Sequence, residues 1–405
     1  MKTADPELMR AINRFHVMDA IRRFGPIARV EICDRTELSA TTVSAITGAL
    51  LDDGLIITQQ LGGIRDVARG RPRVLLDLNP DAAYVVGVRM APDRITIATT
   101  NFRADVRSSL TLPVRAGRHS AAVVADLVED GIRRSVADAG LEMSQICGVC
   151  VGLPGVIERG AGICRASPLF AERDIPFAAK LTRRLDGVVA TLDSDVNLVT
   201  LAEHWFGQAR GLDDFLVVSV ELGLGLGILH KGELFRGANG LGPDLGDLLA
   251  KPPTGNGLVR LAAIASEESI LAEARTALAG TVHEQAFRLG RGLDKVLERA
   301  DAGDPAITSL LGAAGEALGF AIANLIVLFA PPKVILAGPV LAAVEALVAP
   351  LRATVAALLP PSLADVADIA VHEWDDEIWA RGAAAMTLRD LYGAPWGTTG
   401  PAPHR

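Results

Sequence analysis

Arg69-Gly70-Arg71-Pro72-Arg73, followed by Val74-Leu75-Leu76-Asp77-Leu78, decides how the first eighty residues are read. Val74 to Leu78 is a β-rich run, and a second one, Leu55-Ile56-Ile57-Thr58-Gln59-Gln60, lies upstream across a glycine-containing loop that starts at Leu61. Two such runs around a loop form a hairpin. Three helical signals precede it. Val17, Ala20, Ile21 and Phe24 recur at i, i+3, i+4 and i+7, the stripe of an amphipathic helix that Gly25-Pro26 ends. A second short helix fits Arg29 to about Arg35. Ser39 is placed to cap a third, running to about Leu51 with Val43, Ile46 and Leu50 inward and Asp53-Gly54 as its stop. The order predicts a winged helix-turn-helix (α+β) over residues 1–80, with the hairpin as its wing.

The arginine cluster has two readings, a solvated turn or a stiff cationic strip entering a narrow A·T-type minor groove, where negative potential is concentrated. The helical context favours the second. The outward side of the third helix shows Thr41, Thr42, Ser44 and Ala45, short side chains able to approach phosphates, base edges and a thymine methyl. None of them is a bidentate base reader. Ser39, Thr41, Thr42 and Ser44 therefore supply modest readout, and Arg65, Arg69, Arg71 and Arg73 supply affinity through phosphates and groove shape. Glu37 stands where the tight turn of such motifs often has glycine; a positive φ there would cost about 1 kcal/mol.

Composition bounds the rest. At 405 residues with net charge −8, the chain is long enough for two or three domains. Residues 1–80 hold 11 Lys/Arg against 10 Asp/Glu, leaving 29 against 38 beyond, so the acidic excess lies in the larger part. Within Gly62 to Arg73 there are four Arg and one Asp, a local positive patch on an acidic chain. Scattered cysteines and no signal-peptide pattern point to the cytoplasm. Cys147 and Cys150 have CxxC spacing in a buried-strand pattern; residues three apart on a strand face opposite ways, which argues against metal or redox use. The longest apolar run, Leu318 to Gly338, is cut by Pro331-Pro332-Lys333 and reads as a helix followed by a buried strand, with no membrane partner. Residues 393–405, rich in Gly, Pro and Thr, read as a disordered tail.

From Ala83 onward strands alternate with helices, the α/β signature. Tyr84 to Met90, Ile95 to Thr100 and Ser108 to Val114 form a meander; a helix from about Ser120 to Ala139, with apolar Val123, Val124, Leu127 and Ile132, follows. A strand ending in Gly152-Leu-Pro-Gly155 and one at Val188 to Leu192 complete the first set. Phe215 to Val220, Gly227 to Leu229 and Lys333 to Gly338 mark a second. Two similar lobes, 81–200 and 201–392, are the economical reading.

The ordered motifs carry a resemblance. Wing Gly-Arg-Pro, Gly152-Leu-Pro-Gly155, Leu192-Asp-Ser-Asp-Val-Asn197 with Leu201-Ala-Glu-His-Trp-Phe-Gly207, and Arg236-Gly-Ala-Asn-Gly240 resemble the ROK family of sugar-responsive repressors, uncharacterised reading frames and sugar kinases. The resemblance spans about residues 12 to 392. It implies a two-lobed, actin-like (ribonuclease H-like) ATPase-type α/β domain, self-association as a homodimer or tetramer, and a sugar or sugar derivative as ligand.

The kinase chemistry does not carry over. Family kinases have Asp-x-Gly-Gly-Thr in the first hairpin, where this chain has Arg89-Met90-Ala91-Pro92-Asp93. The acid has become a cation, proline removes an N–H, and Asp93 would repel phosphates. The second loop, Glu221-Leu222-Gly223, replaces Gly-Thr-Gly, so the glycines Gly225 and Gly227 read as hairpin sterics. The family's zinc cysteines have no counterpart after Cys164, and neither a metal nor another cofactor is expected.

By resemblance the sugar positions fall on Ser194-Asp195, Asp244 and Asp247. Asp195 either accepts a ligand hydroxyl or caps the helix beginning near Val196, and one carboxylate can do both. Asp244 and Asp247 are either a solvated turn or a carboxylate cluster for polyols, amines or a cation, and Leu169 makes one edge less polar than the family's Asn. The resulting reading is a transcriptional regulator, a repressor by family default, with no catalytic residues. It binds double-stranded DNA at a palindromic, A·T-rich operator and senses a small effector. The alternatives are an ATP-dependent sugar kinase with a DNA-binding head, and a regulator that responds to no ligand.

Overall fold

The computed structural model describes residues 6–59, 74–114, 117–237, 240–252, 257–372, 374 and 376–393. The chain forms two compact units, one built from residues up to Asp193 together with those from Asp376 onward, the other from Ser194 to Asp375.

The first unit opens with α1 (Pro6–Phe24), β1 (Ile27–Ala28), α2 (Arg29–Thr36), α3 (Ala40–Asp52), β2 (Ile56–Gln59) and β3 (Leu75–Leu78), the strands ordered β1-β3-β2. Val17, Ala20 and Ile21 are buried, as the stripe requires, while Phe24 stays exposed under the Arg35 guanidinium, 4.1 Å from its ring centroid. β1 has only two residues, too few to show a period, and it pairs Ile27 with Leu76. Glu37 closes α2 at φ 56°, ψ 20°, the left-handed conformation its position demands. Ser39 caps α3 by accepting from the Thr42 amide at 3.1 Å. The inward residues of α3 are Val43, Thr47 and Leu50, whereas Ile46 is only half-buried. Thr47 goes inside because its hydroxyl accepts from Arg29 Nε at 2.8 Å, which ties α3 to the start of α2.

The lobe that follows has β4 (Tyr84–Met90), β5 (Arg94–Asn101), β6 (Val106–Pro113), α4 (Ala121–Asp138), β7 (Ile146–Leu153), β8 (Val156–Glu158), β9 (Ile163–Ala166), α5 (Phe177–Arg184) and β10 (Ala190–Ser194). β4 to β6 form the antiparallel meander, β7 runs parallel to β4, and the sheet order is β10-β7-β4-β5-β6. Val124, Val128, Ile132 and Val136 of α4 are buried, while Val123 and Leu127 face outward. Cys150 is buried and Cys147 exposed, on opposite faces of β7.

The second unit contains α6 (Asp195–Trp205), β11 (Phe215–Val220), β12 (Leu224–His230), β13 (Glu233–Leu234), β14 (Leu249–Ala250), β15 (Val259–Arg260), α7 (Ala262–Ala265), α8 (Glu267–Ala277), α9 (Glu284–Arg288), α10 (Gly292–Asp301), α11 (Pro305–Phe329), β16 (Lys333–Ala337), α12 (Ala349–Leu358) and β17 (Asp368–Val371). Its sheet, β13-β12-β11-β16-β17, repeats the plan of the first: an antiparallel meander, then strands parallel to its first member. That duplication is the two-lobed, actin-like architecture. α11 is long and apolar enough to cross a membrane by composition, yet 56% of its apolar window is buried within the unit.

The last helix, α13 (Asp376–Leu391), returns to the first unit and packs on β4, β5 and β7. The lobe boundaries expected at 200 and 392 are thereby corrected: the chain changes unit at Asp193/Ser194, and α13 belongs with the first lobe. Glycine makes this possible, since a Cβ on Gly87 would lie 1.9 Å from the Ala380 carbonyl oxygen. The close approach is lined by Ala380, Ala383 and Ala384, all fully buried.

Candidate functional site

Within the head, Thr41, Ser44 and Ala45 of α3 are exposed side by side. Thr42 is half-buried, and its hydroxyl lies 2.8 Å from that of Ser39. The two hydroxyls at the helix start thus satisfy each other and fix the cap, leaving Thr41 and Ser44 as the outward polar groups. No charged residue occurs from Ala40 to Leu51, so this face is an uncharged, small-side-chain surface. Arg65, Arg69, Arg71 and Arg73 lie outside the described residues.

In the first lobe, the hairpin that would hold phosphates is closed and occupied. The Ala91 amide donates to the Arg94 carbonyl at 2.9 Å, Pro92 has no amide proton, and the Asp93 carboxylate pairs with Arg94 at 2.8 Å. Arg89 is 5% exposed, with its guanidinium 4.1 Å from the centroid of the Trp379 ring of α13. A buried cation stacked on indole is a packing element. Sequence reading missed Trp379, which follows Arg89 by nearly 300 residues.

In the second unit, the glycines of β12 have a steric explanation. A Cβ on Gly227 would meet Thr200 Oγ1 at 1.8 Å, and one on Gly225 would meet Ser219 Oγ at 2.3 Å and Val196 Cβ at 2.9 Å. They let β12 lie against α6. The β11–β12 turn is held at the start of α8, where the Glu221 carbonyl accepts from the Glu267 amide at 2.9 Å. Glu267 and Glu268 add negative charge to that first turn, which disfavours phosphate.

The same packing brings two of the positions expected to hold an effector toward Gly225, Asp244 directly and Asp195 through its neighbour Val196. Asp195 is the first residue of α6, and its Oδ1 accepts from the Val196 amide at 2.8 Å, while the Ser194 side chain makes no capping bond. Gly225, packed on Val196, forms an isolated antiparallel bridge with Asp244. Asp244 Oδ1 accepts from the Asp247 amide at 3.2 Å, and Asp247 forms an ion pair with Arg260 at 2.8 Å. Arg260 was not legible, because it reaches the loop only through the pairing of Leu249 with Arg260 across β14 and β15. Asp247 is therefore half of a surface ion pair, while Asp244 bridges Gly225 and Asp195 adjoins Val196, on which Gly225 packs.

Desolvation, and then the Asp247 charge, raise the Asp244 carboxyl above its ordinary pKa. The fold thus disfavours ionised Asp244, a penalty present at neutral pH that disappears as pH falls and the group protonates. Asp244→Asn, which keeps an acceptor oxygen, should melt slightly higher than the parent at pH 7 in differential scanning fluorimetry. The difference should vanish near pH 3.

The family model described as the ROK family matches residues 85–390. The xylose repressor of Caldicellulosiruptor bescii is 26% identical over 339 residues, covering 81% of this chain and 83% of its own. The glucokinase of Thermotoga maritima is 31% identical over 278 residues, covering 65% of this chain and 87% of its own. Among solved structures, a ROK family transcriptional regulator described as a homolog of the Escherichia coli MLC protein superposes with a TM-score of 0.76 at 22% identity, covering 95% of this chain and 97% of its own.

Proposed function

Because the chain belongs to the ROK family, we propose that it is a DNA-binding transcriptional repressor whose kinase-like domain senses a sugar or sugar derivative and transfers no phosphoryl group. The observation that carries the reading is a helix-turn-helix head with an open, uncharged α3 face, joined to a ROK domain whose first hairpin is closed by Ala91 and Arg94. The xylose repressor's match over 81% of the chain supports the regulator class. Ser194, Asp195 and Asp244 are the proposed effector contacts. An effector that prefers one conformation by about 1 to 3 kcal/mol would suffice to release DNA.

A second reading, an ATP-dependent sugar kinase carrying a DNA-binding head, is favoured by the 31% identity to the glucokinase. Two titrations separate them. The regulator reading expects tight, salt-dependent binding to A·T-rich duplex in fluorescence anisotropy, with Arg71→Ala lowering the log–log salt slope by about 1. It also expects no heat with magnesium-ATP in calorimetry. Micromolar nucleotide binding would restore the kinase. Thermal shift across sugars and amino sugars then identifies an effector or shows that none exists.

A further inference from the structure

Arg159 lies in the short turn Arg159–Ala161 between β8 and β9. One arm of its guanidinium donates to the Asp193 carboxylate at 3.1 Å and the other to Asp390 at 2.7 Å. The side chains of Arg159 and Asp193 are 8% and 3% exposed, and that of Asp390 is 31% exposed. Burying such a group gains little stability, because apolar side chains of similar volume commonly serve as well. What a planar fork fixes is geometry, the separation and angle of two carboxylates. Here it sets the end of β10 against the end of α13.

Each end of this bridge leads to a functional element. Asp193 belongs to β10, the edge strand of its sheet, and Ser194 and Asp195 follow it directly into α6. At the other end, Arg389 precedes Asp390 on α13; it is buried, with its guanidinium 6.0 Å from the centroid of the Phe15 ring of α1. Just beyond α13, Tyr392 donates to the Phe102 carbonyl. The next residue, Arg103, pairs at 2.8 Å with Asp77 of β3, which is buried and also accepts from Gln59 of β2 at 3.0 Å. The end of α13 thus meets the head at two places. We propose that Arg159 is the positioning residue that links the start of α6 to the DNA-binding head, through the Asp193–Arg159–Asp390 bridge. The inference rests on the repressor reading, in which Ser194 and Asp195 contact the effector. Coupling of this kind is carried by packed side chains and ion pairs that shift together. An effector that draws on the start of α6 moves Asp193 at the sheet edge, and the fork carries Asp390 and the end of α13 with it.

Coupling between two sites is reciprocal, so DNA bound at the head must register at the start of α6. The test is hydrogen exchange of the full chain with and without an A·T-rich duplex from the DNA flanking the gene, with fluorescence anisotropy on the same samples reporting binding. In the parent, duplex should slow exchange over residues 194–200 by about threefold or more. Asp390→Asn cuts the fork from α13 at its more exposed carboxylate, so the fold should persist, melting within about 4 °C of the parent. This variant should bind duplex within about threefold of the parent and yet lose the change over residues 194–200. Arg159→Lys keeps the buried charge without the fork and should lose the change as well. If one of the two fails to fold, the other decides. Asp174→Asn, in an exposed ion pair with Arg165, should behave as the parent. A DNA-linked change that persists in a folded bridge variant overturns the proposal, as does a parent that binds duplex with no change over residues 194–200. The repressor reading survives both results. A parent that binds no duplex overturns that reading, and this inference with it.

Discussion

Gly87→Ala should destabilise the chain by about 3 to 5 kcal/mol, an effect at the extreme end for one methyl group. The added Cβ would lie 1.9 Å from the Ala380 carbonyl oxygen and 2.5 Å from the Ala384 amide nitrogen. Both atoms are backbone, so no rotamer change relieves the overlap, and α13 must lift from β4 by roughly 1.5 Å to restore van der Waals distance. Lifting it breaks contacts that are otherwise complete, because Trp379, Ala380, Ala383, Ala384, Met386 and Leu388 are all buried. It also withdraws Trp379 from Arg89 and strains the 2.6 Å bond from Tyr392 Oη to the Phe102 carbonyl. A melting temperature lower by about 10 °C or more is expected in calorimetry. Gly48→Ala is the control: nothing lies within 4 Å of its Cβ position, in the middle of α3. It should be neutral or stabilising by up to about 1 kcal/mol. Equal melting of Gly87→Ala and the parent would mean that α13 does not sit on β4.

The comparison of those two glycines marks where sequence reading stops. Buried strands announce themselves as apolar runs, so β4, β11 and β16 were legible nearly to the residue. Glu37 was legible because a tight turn without glycine must put some residue at positive φ, and it does, at 56°. Thr47 was not, because a hydroxyl goes inside only when a partner is waiting, and Arg29 lies 18 residues away in sequence. Trp379 under Arg89, Arg260 on Asp247 and the return of α13 share that character. Each joins residues whose separation leaves no local periodicity, and α13 carries the chain back to a lobe it had left at Asp193. The proposed effector positions rest on family motifs alone, and what the packing of β12 on α6 adds is that Asp244 and the Asp195–Val196 start of α6 meet at one glycine ridge.

Ser44→Glu should weaken binding to duplex about a hundredfold at 50 mM salt while leaving stability unchanged. Ser44 is exposed on α3 between Thr41 and Ala45, and the helix has no other charge from Ala40 to Leu51. A helix in the major groove approaches within a few ångströms of phosphates as well as base edges. A carboxylate placed there meets like charge at about 4 to 6 Å, costing on the order of 1 to 4 kcal/mol across the range of dielectric at a partly wet interface. Ser44→Ala removes one hydroxyl and adds no charge, so its loss should stay within about fivefold. Salt distinguishes the two mechanisms, since the glutamate penalty is screened and should shrink as ionic strength rises toward 300 mM, whereas a lost hydrogen bond should not. The position is solvent-facing, so both variants should melt within about 2 °C of the parent. Fluorescence anisotropy on an A·T-rich duplex and on the DNA flanking the gene reads both effects. A Ser44→Glu variant that binds within threefold of the parent would remove α3 from the groove and leave the wing as the sole contact.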